Sequence, residues 1–244
     1  MAQGSDSSEG KVAIVTGASS GIGRAIALTL ARSGWRLTLN ARRRNLLQTL
    51  VREIEDGGGA AITVPDNLTE FGAHERVIGD TVSTFGRLDL LVNNAGIAGS
   101  GAIDEVQDET YDDCFKLNVW APIALMRAAV PHFKEAGGGQ VINIGSIVGY
   151  VPSPKGSVYA ASKWALRGLT ESWREELYPF RIKVAYVAPG YVVTEFGGRT
   201  AVRLDDVRDW AMVPEDVAHV VHCIATQGPN SDIREVTLQV VDRS

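Results

Sequence analysis

A chain of 244 residues with 45% hydrophobic and 22% charged residues is long enough to bury a large core and balanced like a soluble globular protein, so one domain is the economical expectation. The formal charge of −5, with no basic block outside Arg42 to Arg44, argues against nucleic acid or an anionic membrane as the main partner, and no apolar run approaches the roughly 20 residues of a membrane span. Cys114 and Cys223 are too few for a disulfide framework, which fits a reducing cytoplasm.

Residues 1–10 are polar and small and are expected to form a disordered leader, with one folded domain over 11–244. Val12 to Thr16 is an apolar run of strand type, and glycines lead from it into Arg24 to Arg32, which has helical periodicity. Further strands are expected at Leu37 to Asn40, Ala61 to Val64, Leu88 to Val92, Val141 to Ile144, Ile182 to Val187 and Val236 to Val240, most separated by amphipathic segments of helix length. Gly57 to Gly59 and Gly137 to Gly139 read as exits from helices into strands. Strands alternating with helices imply a parallel sheet covered on both faces, because parallel neighbours need long crossovers and these lie over the sheet. The fold class is therefore α/β, doubly wound.

The exit from the first strand reads Thr16-Gly17-Ala18-Ser19-Ser20-Gly21-Ile22-Gly23. Its glycines permit a tight turn, a close backbone approach to a pyrophosphate and close packing of the helix on the sheet, and the helix start offers free N–H groups to an anion. Farther on, Tyr159 and Lys163 are four residues apart, which places a phenol and an ammonium on one helix face. A neighbouring cation favours the phenolate. Bringing a phenol from about 10 to near 7 takes about 3 pKa units, or roughly 4 kcal/mol, within reach of one desolvated cation and a second positive charge.

The series Thr16-Gly17-x-x-x-Gly21-x-Gly23, Asn93-Asn94-Ala95-Gly96, Asn118, Ser146, Tyr159-x-x-x-Lys163 and Pro189-Gly190 resembles that of the short-chain dehydrogenases/reductases, over nearly the whole chain from Lys11 onward. The resemblance implies a Rossmann-type three-layer α/β/α sandwich with a seven-stranded parallel sheet, a bound nicotinamide cofactor, and hydride transfer between its C4 and a carbonyl or alcohol carbon. It implies that Ser146 donates to the substrate oxygen and Tyr159 delivers or removes the proton. Lys163 would hold the nicotinamide ribose, and Asn118 would kink a helix and hold a water in a proton relay. The cofactor set implied is Gly17, Ser19, Ser20, Gly21, Ile22, Gly23, Asn93, Ala95, Gly96, Tyr159, Lys163, Pro189, Gly190, Val192 and Thr194. Asp66 and Asn67 match the adenine-contacting position more loosely, since the family's Asp is usually followed by an apolar residue and Pro65-Asp66-Asn67-Leu68 departs from that; Asp66 could equally begin a turn or cap the next helix.

Cofactor choice follows from an absence. An NAD-selective fold of this kind presents an acidic residue about 20 residues past the glycines; here the end of the second strand reads Asn40-Ala41-Arg42-Arg43-Arg44. Arg42, with Arg43 beside it, can meet a 2′-phosphate through paired hydrogen bonds, which favours NADP. Residues 195–213 are the expected substrate lid, with Gly197 and Gly198 as hinge and Arg199, Arg203 and Trp210 within it. Val148, Tyr150, Tyr191 and Phe196, with Ile97 and Val151, are candidate pocket walls beside Ser146 and Tyr159, and suggest a partly apolar carbonyl substrate. His74 and His132 look like surface positions. His219 and His222 stand three apart on a helix without further ligands, so no metal is expected. By resemblance, the helix of Lys163 and that of Asn118 pair across a two-fold axis, giving a homotetramer or homodimer. The reading is an NADP(H)-dependent oxidoreductase interconverting a carbonyl and an alcohol. The alternatives are an NAD-linked dehydrogenase of the same family and a non-catalytic nucleotide-sensing protein.

Overall fold

The computed structural model describes residues 10–197 and 211–241; residues 1–9 of the expected leader, and Gly198, Arg199, Arg203 and Trp210 of the expected lid, lie outside them. In chain order the elements are β1 (Val12–Thr16), α1 (Gly21–Arg32), β2 (Arg36–Asn40), α2 (Arg44–Asp56), β3 (Ala60–Val64), α3 (Ala73–Phe85), β4 (Leu90–Asn93), α4 (Asp108–Phe115), a π-helical turn (Lys116–Trp120), α5 (Ala121–Glu135), β5 (Gly139–Ile144), a 3-10 turn (Ile147–Gly149), α6 (Ser157–Leu177), a second 3-10 turn (Tyr178–Phe180), β6 (Ile182–Pro189), α7 (Pro214–Ala225) and β7 (Glu235–Leu238).

The strands form one seven-stranded sheet in the order β3-β2-β1-β4-β5-β6-β7, every pair parallel. Successive strand residues point to opposite faces. Ala13 and Val15 of β1 therefore join α1, α2 and α7 in one apolar core, while Ile14 between them joins α3 and α5 in the other. A strand buried on both faces needs a continuous apolar run, and all five residues of β1 are buried. Burial of each large side chain in these layers contributes about 1.5–3 kcal/mol.

The chain winds outward from β1 toward β3 and then returns to place β4 on the other side of β1. The crossovers on the two sides of that reversal diverge, which opens a crevice at the carboxyl ends of the strands, where open sheets of this kind place ligands. All seven expected strands are present; the fourth begins at Leu90 rather than Leu88, because Asp89 is taken up in accepting the Val12 N–H at 2.9 Å and pairing with Arg87.

Candidate active site

The crevice begins at the glycine loop. Gly17 and Gly21 have φ of +66° and +52°, and a Cβ on Gly23 would lie 2.4 Å from the Gly17 carbonyl oxygen, so α1 starts pressed against the turn that precedes it. Thr16 ties this loop to β4: its hydroxyl donates to Val92 O and accepts from the N–H groups of Asn94 and Ala95, both at 3.0 Å. Asn94 closes the tie by donating to Thr16 O at 2.9 Å. Asn93, one residue earlier, points into the sheet layer and donates to Asn143 at 2.8 Å, so its side chain braces β4 against β5 rather than lining the crevice.

A groove of about 320 Å³ runs along this junction, lined by Gly17, Ser19, Ser20, Ala41, Arg42, Arg43, Asp66, Asn67, Ala95 and Gly96. The chemistry suits a dinucleotide phosphate: α1 carries no acidic residue in its first turn, Ser20 at its N-cap lines the groove, and Ala41 stands where a carboxylate would repel a 2′-phosphate. Arg43 lies over the loop, donating to Ser19 Oγ at 3.1 Å and Ser20 Oγ at 2.6 Å, and reaches Glu195 at 3.2 Å on the segment beyond β6. That bridge was not visible in the sequence, since 152 positions separate its ends. The Asp66 carboxylate is gripped by Arg76 at 2.6 and 2.9 Å, and this guanidinium holds its pKa below the usual carboxylate range. Asn67, not Asp66, makes the turn that follows, accepting from Thr69 N and Oγ1.

The other end of the crevice is built by β5, α6 and the turn after β6. Ser146 leaves β5 in extended conformation and caps the 3-10 turn, accepting from Val148 N at 3.3 Å. On α6, Lys163 is buried, its Nζ donates to Ile144 O at 2.9 Å, and the same atom lies 5.6 Å from the centre of the Tyr159 ring. Burial pulls the Lys163 ammonium down to about 8. Asn118 sits in the π-helical turn, buried, with Oδ1 accepting from Ile97 N at 2.9 Å and Nδ2 donating to Ile97 O at 2.9 Å. The wider π turn rotates this side chain off the helix line and into the crevice wall, where a Cβ on Gly96 would come within 3.1 Å of it. Asn118 Nδ2 also reaches Ser162 Oγ at 3.0 Å, and that hydroxyl donates to Tyr159 O at 2.7 Å. Ser162 and Cys114, whose thiol lies 3.3 Å from Asn118 Nδ2, escaped sequence reasoning; their spacing, one before Lys163 and four before Asn118, was the available signal.

Beyond β6, Pro189 is buried, Gly190 N donates to Leu238 O, and Val192 bridges Met212. Thr194 covers the start of α1: a Cβ on Gly21 would meet its methyl at 3.0 Å. Phe196 packs its ring 5.6 Å from that of Tyr159. Two expectations are corrected. Tyr150 is no substrate wall: its hydroxyl is committed to Glu235, Arg167 lies 4.2 Å over its ring, and it packs edge-on against Tyr186. His74 is not a surface residue but is buried against Trp120, because its ring closes the gap between α3 and the π turn. Val151 keeps half of its surface in solvent, and Val148 and Tyr191 are half-buried. His222 bonds Ser33 at 2.7 Å, and among the described residues no group of three or more His, Cys, Asp or Glu could hold a metal ion.

A family model described as short chain dehydrogenase matches residues 11–203. The chain belongs to that family. The sheet and its two helical layers are the Rossmann-type sandwich of short-chain dehydrogenases/reductases, and the protein is an oxidoreductase of that kind. An uncharacterised oxidoreductase of Methylorubrum extorquens is 38% identical, with 97% of each chain covered. A 3-oxoacyl-[acyl-carrier-protein] reductase of Thermotoga maritima is 32% identical over 89% of this chain and 91% of its own. Among solved structures, an alcohol dehydrogenase from Thermococcus sibiricus complexed with 5-hydroxy-NADP matches with TM-score 0.88 at 28% identity, covering 95% of this chain and 97% of that one. A metagenomic short-chain oxidoreductase in complex with NADP matches with TM-score 0.83 at 38% identity and the same coverage.

Proposed function

We propose that this oxidoreductase interconverts a small, partly apolar carbonyl compound and its alcohol with NADP(H), Tyr159 acting as general acid and base. The observation that carries the reading is the buried Lys163 ammonium, anchored on Ile144 O and facing the Tyr159 ring, behind Gly96, where a Cβ would lie 3.7 Å from its Nζ; Gly96 lines the groove that also presents Arg42 and Arg43. The NADP of one solved neighbour and the 5-hydroxy-NADP of another support the cofactor choice, and so does Ala41 in place of a carboxylate.

The cofactor supplies or accepts a hydride at its nicotinamide C4. The rest falls to side chains. The α1 N-terminus and the glycine loop hold the pyrophosphate, Arg42 and Arg43 the 2′-phosphate, and Asp66 and Asn67 border the adenine end. Gly190, Val192 and Thr194 bound the nicotinamide end. Ser146 donates to the substrate oxygen as charge develops there. Tyr159 gives that oxygen its proton in reduction and takes it back in oxidation; Lys163 lowers the cost of the phenolate left behind. Asn118 and the Ile97 carbonyl stand behind Lys163 as the start of a proton path. Phe196 and Tyr191 exclude water from one side. Exposed Trp164, Trp120 and Tyr111 on the helices of Lys163 and Asn118 support assembly as a homodimer or homotetramer, which sedimentation would resolve.

The test is NADPH oxidation against a panel of ketones, aldehydes, keto acids, quinones and a 3-oxoacyl thioester, with Tyr159→Phe as control. At least one carbonyl class should turn over, and the variant should lose about 10²–10⁴ in kcat. A Tyr159→Phe enzyme as active as the parent would overturn the mechanism.

A further inference from the structure

We propose that Tyr186 is a positioning residue of this active site, a buried strut whose hydroxyl holds the Ser146 turn in register with the helix that carries Tyr159 and Lys163. The proposal rests on the roles of Ser146, Tyr159 and Lys163 argued above.

Tyr186 lies in β6, paired with Asn143 of β5, and its side chain is the largest wholly buried one among the described residues. Its hydroxyl donates to the Lys163 carbonyl oxygen at 3.1 Å. The Ser146 backbone pulls the pKa of the Tyr186 phenol down, against the larger upward push from burial. The phenol oxygen thus bonds the backbone of Lys163 and lies against the Gly145 to Gly149 turn that holds Ser146, where a Cβ on Gly145 would come within 2.2 Å of it and one on Gly149 within 2.5 Å, although Ser146 and Lys163 are 17 residues apart in sequence.

The chain makes room for this contact at some cost in side-chain packing. A Cβ on Gly145 would lie 2.0 Å from Tyr186 Cζ, and one on Gly149 would lie 2.5 Å from its hydroxyl oxygen. These glycines flank Ser146, so the serine turn is laid directly on the phenol. The ring is blocked from swinging away by Tyr150, whose own ring meets it edge-on at 6.1 Å and is itself pinned by Arg167 and Glu235. Burial holds the Tyr186 phenol well above its ordinary pKa, so it remains a hydrogen-bond donor at any working pH. The two tyrosines therefore divide the labour: Tyr159 exchanges a proton with substrate, and Tyr186 keeps its proton and sets the distance between Ser146 and Tyr159.

Displacement of a reacting group by about 1 Å can cost 10²-fold in rate, so the strut should be read in kcat rather than in cofactor binding. The experiment compares the parent, Tyr186→Phe, Ser146→Ala and the double variant for kcat, KM for NADPH and thermal unfolding. We expect Tyr186→Phe to lose about 10- to 100-fold in kcat with KM for NADPH within about twofold, and to cost less than about threefold once Ser146 is already Ala, because the strut acts through that serine. Should Tyr186→Phe not fold, Gly149→Ala pushes the turn off the hydroxyl without altering the ring and should reproduce both results. An unchanged kcat, or an equal loss with and without Ser146, would mark Tyr186 as ordinary core and overturn the proposal. If Ser146→Ala itself leaves kcat intact, the catalytic reading falls and the strut with it, an outcome distinct from the other two.

Discussion

The ammonium of Lys163 donates to the carbonyl oxygen of Ile144 at 2.9 Å, so the cation facing Tyr159 is anchored on the last residue of β5. Ile144 precedes Gly145 and Ser146, and one strand end therefore fixes the lysine and presents the serine. The serine proposed to donate to the substrate oxygen and the lysine proposed to support Tyr159 thereby share a rigid base, which a loop-borne pair would lack.

That arrangement carries a stability cost that falls as the pH rises. Burial lowers Lys163 from 10.5 to about 8. Below about pH 8 the lysine is charged in both the folded and unfolded chain, and the penalty is present in full. Between about 8 and 10.5 the unfolded chain keeps its proton while the folded one releases it, so stability rises with pH across that window. The shift corresponds to about 3 kcal/mol. Lys163→Met should therefore be catalytically crippled yet more stable than the parent at pH 7 by up to that amount, less what the Ile144 carbonyl loses. Urea unfolding at pH 7 and pH 10 checks it: the gap should narrow at the higher pH, and a less stable variant at pH 7 would refute it.

At the glycine loop the tightest approach is within the protein. A Cβ on Gly23 would stand 2.4 Å from Gly17 O and 2.5 Å from Asn94 Nδ2. Gly23→Ala must push α1 away from the loop, at about 1–3 kcal/mol for an overpacked contact. It should also weaken NADPH binding, because the helix N–H groups move with it. Thermal melts and NADPH fluorescence titration report the two effects; a variant with parental melting and affinity would show that α1 yields at no cost.

The sheet was legible because parallel strands buried on both faces are rich in apolar residues: β1 and most of β6 are apolar runs, while β2 and β5 keep enough Leu, Val and Ile to read as strands around the buried polar Thr38, Gln140 and Asn143. The turn chemistry was legible for the same local reason: Gly17, Gly21 and Gly23 answer to φ and clearance at their own positions. Contacts set only by the assembled tertiary structure were not. Nothing around Tyr186 in sequence announces that its hydroxyl meets Lys163 O, and a lone tyrosine in an apolar strand reads as core. His74 and Tyr150 were misplaced because an amphipathic ring suits both surface and interior, and Trp120 and Glu235, far along the chain, decide which.

Cofactor preference should reverse with a small change at the end of β2. The Arg42 side chain lines the groove with no hydrogen-bond or ion-pair partner among the described residues, whereas Arg43 is shared by Ser19, Ser20 and Glu195. Replacing Ala41 by Asp and Arg42 by Ala puts a carboxylate where ribose hydroxyls would donate and removes a guanidinium suited to a 2′-phosphate. The ratio of kcat/KM for NADPH to that for NADH should fall by about 10²-fold, as expected for roughly 3 kcal/mol of charged hydrogen bonding. An unchanged ratio would mean that neither position faces the 2′-substituent.

Mild acid should act through His74. Its ring packs edge-on against Trp120 at 4.7 Å and bonds the Leu68 backbone, with Glu75, Arg127 and Asp66 the charges that reach it. Burial is the largest influence and lowers its pKa below 6.5, against the smaller upward pull of Leu68 and Glu75. At pH 7 the ring is neutral and the packing complete. As the pH falls through 6.5 the unfolded chain takes up its proton first, so stability declines until the folded-state pKa is also passed. Asp66 does not confuse the window, since Arg76 keeps it ionised well below it. His74→Gln retains a donor for Leu68 and cannot titrate. The fall in melting temperature from pH 7.5 to 5.5 should be larger for the parent than for this variant, and equal falls would remove His74 as the cause. Because Leu68 also lines the cofactor groove, the parent's affinity for NADPH should weaken over the same range while that of the variant holds.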